Sequence, residues 1–248
     1  MSIIYILWLR QLKRYRRSRA RIFASLAQPL LFLFAIGFGF GPTYQKAGNG
    51  NYIQFLVPGI VAMAVLFSAV FSGIEILWDR QFGFLKETLV APVPRIYIVL
   101  GRTLGAATVA MIQGLVVFTV CLLAGFHIQN YGLLPVAAAF MFLIAMLFTA
   151  FGTTIGSLVE DMQAFPLIMN FLVMPMFFFS GALFPVKDLG AILNGVLRLN
   201  PLTYGVDGLR GALTHEFVFG IGPDFVLLGL ATAILLVVGN YFFSKIEV

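Results

Sequence analysis

Six apolar stretches, each about as long as a bilayer core requires, limit what this chain can fold into. A helix needs about 20 predominantly apolar residues to cross the hydrocarbon. Runs at 22–41, 53–77, 96–126, 134–158, 164–184 and 224–243 meet that length. Backbone polar groups inside the hydrocarbon must be satisfied within the protein, so these runs are expected to be helices. Of 248 residues, 60% are hydrophobic and 10% charged, with a mean hydropathy of +0.99. Soluble domains run at about 45–50% and about 25%. The 25 Gly and 11 Pro are dispersed and there is one Cys, which removes the fibrous, disordered and disulfide-rich classes. The residues outside the runs are too few for a soluble catalytic domain of about 100 residues. The expected fold class is an all-α integral membrane protein, one transmembrane domain over 1–248 with six transmembrane helices.

Charge sets the orientation. Sixteen Lys and Arg against ten Asp and Glu give +6, and seven of the sixteen lie between Arg10 and Arg21. A basic N-terminus can bind nucleic acid, but this one directly precedes a hydrophobic span, so it reads as a positive-inside signal with no nucleic-acid partner. Residues 1–21 place Ile3, Ile4, Ile6, Leu7, Leu9 and Leu12 before the run RRSRAR. They predict an amphipathic helix in the cytoplasmic interface, with Tyr5, Trp8 and Tyr15 at headgroup depth. The apolar run that follows is too long for a signal peptide and lacks a small-residue cleavage site. With the N-terminus inside, inner segments hold twelve basic residues, Arg80, Lys86, Arg95, Arg102 and Lys245 among them. Outer segments hold four: Lys46, Lys187, Arg198 and Arg210. This asymmetry predicts a multi-pass cell-membrane protein with both termini cytoplasmic.

The outer segment 185–223 is too apolar for a free loop and too interrupted to span. Short apolar pieces at about 188–198 and 202–213 flank Asn200-Pro201. Asn200 suits an N-cap and Pro201 the first helical position. Two short re-entrant helices packed against the spans are expected, and two helices lying flat on the outer surface are the other reading.

Much chemistry is absent. No Gly-Lys dipeptide occurs, so a Walker A loop is impossible. The two histidines, His127 and His215, fall in different outer loops, which leaves no His or Cys cluster for a metal. Cys121 is alone in an apolar run and reads as a small hydrophobe. Glu75 and Arg102 lie near inner ends of spans, whose centres offer only Gln28, Gln113, Asn170 and Asn240 as larger polar groups. Ion-coupled carriers need embedded titratable or coordinating groups, and no inverted repeat is visible. Gly101-Gly105 and Gly152-Gly156 have the spacing for close helix approach and read as internal packing.

The inner segment 78–95 mixes charges of both signs with Phe82, Phe84, Leu85, Leu89 and Val90. Residues 81–90 can form a short helix, stopped by Pro92 and Pro94. Such a helix can lie on lipid or dock in a partner's groove. The stretches FGFLKETLVAPVPRIYIVLGR at 82–102, FFFSGALFPVKDLGAIL at 177–193 and NPLTYGVDGLRGAL at 200–213 resemble the ABC-2 family of ABC transporter permeases. The last carries the family's signature pattern in Asn200, Pro201, Tyr204, Asp207, Leu209 and Arg210. The resemblance covers the chain in order and is nearest in kind to half-size permeases related to drug-resistance exporters. Polysaccharide-exporting permeases share the architecture, so the substrate does not carry over.

The resemblance implies two copies of the chain working with two ABC ATP-binding subunits. ATP and Mg would sit on that partner, and none in this chain. Loop 78–95 would hold the coupling helix over 81–91, with Phe84 and Leu85 as apolar anchors and Lys86 and Glu87 as polar contacts. The N-terminal helix would be a second contact and the Glu160-Asp161 turn a third, unless that turn is merely solvated. The first and fifth spans would line the path, with Phe177, Phe178 and Phe179 facing either the path or lipid. The signature cluster would gate release or serve structure, Asp207 and Arg210 then forming an i, i+3 ion pair. The expected function is an exporter permease in a bacterial plasma or inner membrane, moving a hydrophobic or amphipathic substrate by alternating access. A self-contained carrier or channel and a membrane-embedded enzyme are the competing classes.

Overall fold

The computed structural model describes residues 2–46, 51–85, 93–185 and 190–245. Among the described residues all regular structure is helical. Helix α1 (Ile3–Arg17) starts at a Ser2 cap and ends at Ser18, where the chain turns into α2 (Arg19–Phe32). Helix α2 carries Pro29, widens into a π-helical turn at Leu33–Phe38, and continues as α3 (Gly39–Lys46). Helices α4 (Tyr52–Phe71) and α5 (Ile74–Gln81) form one apolar rod broken at Ser72–Gly73. Then come α6 (Arg95–Leu123), α7 (Leu134–Leu158), α8 (Ala164–Phe178), α9 (Ala191–Leu199), α10 (Pro201–Thr214) and α11 (Ile221–Ser244).

Five rods are long and apolar enough to cross a membrane: Ile22–Lys46, Tyr52–Gln81, Arg95–Leu123, Tyr131–Leu158 and Ile221–Ser244. The fifth expected span, 164–184, forms only the 15-residue α8, about 22 Å at about 1.5 Å per residue. The chain beyond it turns irregularly through Phe179–Pro185. The 134–158 expectation coincides with α7. The first run continues as helix to Lys46, five residues past its expected end at 41.

Helix α4 is the axis of the bundle: it is mostly buried and packs on α2, α6, α7, α8 and α10. In lipid, bundles are held by close packing at small residues more than by burial of apolar area. The α4–α5 break shows this. A methyl group on Gly73 would overlap the Gly152 carbonyl, one on Gly152 the Val70 carbonyl, and one on Gly156 would press on the Gly73 carbonyl. Backbone lies on backbone there, and the missing side chains of Gly73, Gly152 and Gly156 permit it. The second glycine pair serves α1. A methyl on Gly101 would stand 3.0 Å from Ile4 Cα, and one on Gly105 2.7 Å from Gln11 Cγ. Helix α1 is therefore docked along the first half of α6. Trp8 donates to Thr108 Oγ1 (3.1 Å), and Tyr15 is buried. Trp8 and Tyr15 thus serve the bundle, and Tyr5 alone of the three expected headgroup aromatics is exposed.

Candidate functional site

Two polar constructions stand out, one at each end of the bundle. The first joins α1, α5 and the start of α6. Asp79 and Glu75 lie one turn apart on α5, both buried, and Arg102 of α6 is buried beside them. Arg10 meets Asp79 through two hydrogen bonds (2.9 and 3.3 Å), a fork that fixes orientation as well as attracting. Arg102 pairs with the second oxygen of Asp79. Arg14 lies 3.7 Å from Glu75 and 4.0 Å from Asp79. Three guanidinium groups therefore surround two carboxylates. Arg10 also lies over the Phe84 ring (3.8 Å) and Arg14 over Trp78 (5.0 Å). Arg10 thereby joins α1, α5 and the segment after α5.

That segment begins the expected coupling helix. Leu85 is fully buried among Leu7, Ile76, Ile98, Val99 and Phe243. It cannot be an outward anchor, because its side chain is spent holding the segment to the bundle. Phe84 is at the surface under Arg10, and Phe82, 80% exposed, is the aromatic with a free face. Lys86 and Glu87 lie outside the described residues. Glu160 of the expected third contact pairs with Arg80 at 3.2 Å on the surface.

The second construction is the signature cluster. Asn200 caps α10 by accepting from Leu202 N–H (3.1 Å). Its amide also donates to the carbonyls of Met176 (2.6 Å) and Phe179 (2.9 Å) at the end of α8. Pro201 takes the first helical position, where a missing N–H costs nothing. Arg210 donates to the Gly181 carbonyl (2.9 Å) and lies 4.0 Å over the Phe55 ring. Tyr52 of α4 donates to the Leu183 carbonyl (2.8 Å). Four carbonyls between Met176 and Leu183 are thus satisfied by side chains from α4 and α10. The sequence does contain an Asn-Pro cap signal, but nothing in it foretells these long-range bonds.

The expected Asp207–Arg210 ion pair is not formed. Asp207 turns to the chain ahead of α11 and accepts from Val218 N–H (2.9 and 3.0 Å) and Phe219 N–H (2.9 Å). Arg210 turns to the α8 side. Helical neighbours three apart share a face, but here each is bonded to backbone instead. Tyr204 donates to the Arg198 carbonyl (2.7 Å) and packs on Phe219 at 5.3 Å. Asp224 of α11 escaped the sequence reading. It is fully buried, with its carboxylate beside that of Asp207.

Of the three aromatics expected to face a path or lipid, Phe177 is fully buried between Phe32 (6.2 Å) and Phe67 (6.4 Å). Phe178 and Phe179 are exposed. No group of metal-ligating residues occurs among the described residues.

The sequence profile of the ABC-2 type transporter family matches residues 3–214, which include the α1–α5–α6 ion cluster and the signature residues Asn200 to Arg210. The chain is similar to the transport permease ycf38 of Cyanophora paradoxa, 27% identical over 259 aligned positions that cover 98% of this chain and 88% of the relative. It is 30% identical to the ycf38 permease of Porphyra purpurea, over 93% of this chain and 83% of the relative. Nodulation protein J of Rhizobium leguminosarum bv. trifolii is 29% identical over 83% of this chain and 76% of its own length.

Proposed function

Since this chain belongs to the ABC-2 type transporter family, a family of multi-pass membrane transport permeases, we propose that it is the permease subunit of an ATP-driven exporter. Two copies would enclose the path, and two separate ABC ATP-binding subunits would hold ATP and Mg. The observation that carries this reading is the family match across 3–214. The lack of any Gly-Lys dipeptide in the sequence is consistent with an energy source on another chain.

The α1–α5–α6 ion cluster supplies a route for force. A partner that grips the segment from Phe82 onward, where Lys86 and Glu87 follow, acts on Phe84 and Leu85. Phe84 is held by Arg10 and Leu85 by the cluster around Ile98 and Phe243. Separating buried Asp79 of α5 from buried Arg102 of α6 costs about 3–5 kcal/mol, and α1 packs closely on Gly101 and Gly105 of α6, so the three would move as one body. The glycine crossing at Gly73 and Gly152 sits where that body meets α4. The path would lie between the copies, along α2 and α8, where Phe178 and Phe179 offer apolar surface. An uncharged path suits a hydrophobic or amphipathic substrate such as a drug, a lipid or a lipid-linked glycan. The signature residues would secure the α8–α10 junction, which is a structural role.

The test is co-expression with an ABC ATP-binding subunit of the same organism. Co-purification and ATP-dependent uptake of substrate into inside-out vesicles are expected. ATP-independent transport by the purified chain would overturn the reading in favour of a self-contained carrier.

A further inference from the structure

Two carboxyl groups meet at the junction of α10 and α11, away from the ion cluster at the other end of the bundle. Asp207 is buried and Asp224 is fully buried. Their side chains lie beside one another. Phe140 of α7 packs on both chain segments. Its ring lies against Gly208, the residue after Asp207, and meets Phe225, the residue after Asp224, edge to face at 5.8 Å.

The two surroundings differ. Asp207 accepts from the N–H groups of Val218 and Phe219. No N–H or O–H of the described residues reaches either oxygen of Asp224, so Asp207 is its one hydrogen-bond partner among them. Two ionised carboxylates cannot bond to each other, because both accept and neither donates. At close range and out of water they also repel. A single proton resolves both conflicts. Backbone donors favour the charged form of a carboxylate, so the charge belongs on Asp207 and the proton on Asp224, whose O–H then donates to Asp207. The start of α11 favours negative charge at Asp224, yet none of its N–H groups is bonded to this carboxyl.

The other charges nearby fit one negative charge on the pair. Arg210 is the one cation of α10. Helix α7 has no titratable residue, α6 beyond Arg102 has only Cys121, and α11 has only Tyr241 besides Asp224, near its far end. Tyr204 donates its O–H to the Arg198 carbonyl, and His215 and Glu216 are exposed. A calcium ion takes about six to eight oxygens, and both oxygens of Asp207 are already bonded to backbone. We propose that Asp207 and Asp224 form a binding site for one proton, and that this proton fastens α10 to the start of α11. Asn200 and Arg210 of the same region hold the end of α8. Loss of the proton would set two charges against each other and loosen the joint where α8, α10 and α11 meet.

Infrared spectra of the purified full-length chain in neutral detergent test this directly. At neutral pH the wild type should show the carbonyl stretch of a protonated carboxyl group, and Asp224→Asn should lose it completely. Glu216→Gln, at the exposed neighbour, should keep it. Asp224→Asn replaces an O–H donor with an N–H donor and should still assemble; Asp224→Ser also carries a donor and is the second variant if the amide does not accumulate. Thermal unfolding gives an independent readout. Raising the pH from neutral to alkaline should lower the melting temperature of the wild type more than that of the variant, because only the wild type has this proton to lose. No carboxyl band in the wild type, a band that survives substitution of Asp224, or parallel pH profiles would overturn the proposal. A rise in melting temperature with calcium chloride that requires Asp224 would assign the pair to a metal ion instead. No ATPase enters these measurements, so their failure leaves the permease reading untouched, and lost co-purification leaves this one untouched.

Discussion

Asn200 joins the end of one helix to the start of another with a single amide. Its oxygen caps α10 and its nitrogen serves two carbonyls at the end of α8. The two functions can be separated by substitution. Asn200→Ser keeps an acceptor for Leu202 N–H but loses both donors, whereas Asn200→Ala loses everything. A cap contributes about 1 kcal/mol, and a buried carbonyl left unpaired costs about 1–3 kcal/mol. Thermal unfolding in detergent should therefore rank wild type above Ser and Ser above Ala, with most of the loss already present in Ser. Asp207 and Arg210 give a sharper contrast. Because their partners are the backbone of Val218 and Phe219 on one side and of Gly181 on the other, exchanging the two charges cannot restore either bond. Asp207→Arg, Arg210→Asp and the double exchange should all fail to accumulate as assembled protein. Rescue by the exchange would instead reveal an ion pair. The cap at Asn200 was legible because Asn-Pro is a local signal. The role of Arg210 was not, because its acceptor is 29 positions away and is a carbonyl every residue possesses.

At the scale of elements, the α7 boundaries were legible and the break between α4 and α5 was not. Apolar length is a property of one segment, so 134–158 could be read directly. The break at Ser72–Gly73 exists because Gly152 and Gly156 of another helix press on it. Gly73→Ala puts a methyl into the Gly152 carbonyl and should cost about 1–3 kcal/mol or more, as overpacking does. Gly41→Ala meets open space and should leave the melting temperature nearly unchanged. The charged cluster predicts an asymmetry of its own. Asp79→Leu strands buried Arg102 beside Arg10 and should cost about 3–5 kcal/mol. Arg10→Ala removes a partly exposed partner and should cost about 1 kcal/mol or less. Arg102→Leu added to Asp79→Leu should recover part of the first loss, since the stranded charge goes with it. A double-mutant cycle by thermal unfolding measures that recovery.

For the whole molecule, the decisive quantity is the parity of crossings. Five rods are long enough to cross unaided, and five crossings would put the termini on opposite sides. On the proposed reading, with both termini on the cytoplasmic side, α8 would supply the sixth crossing. Alone it is too short by about 8 Å against a core of about 30 Å. In that reading the missing reach would come from Phe179–Pro185, seven irregular residues whose full extension is about 23 Å. Irregular backbone survives at that depth only if the protein itself satisfies it. Here Asn200 serves Met176 and Phe179, Arg210 serves Gly181 and Tyr52 serves Leu183, so the carbonyls that a helix would have satisfied are covered from α4 and α10. Epitope tags at both ends of the chain should therefore be shielded from an impermeant reagent in sealed right-side-out cells and become reactive together on permeabilisation. Labelling of the C-terminal tag alone before permeabilisation would mean that α8 turns back without crossing. The signature residues would then secure a hairpin on the cytoplasmic side, and α9 and α10 would lie on the opposite face from the one the charge asymmetry assigns them.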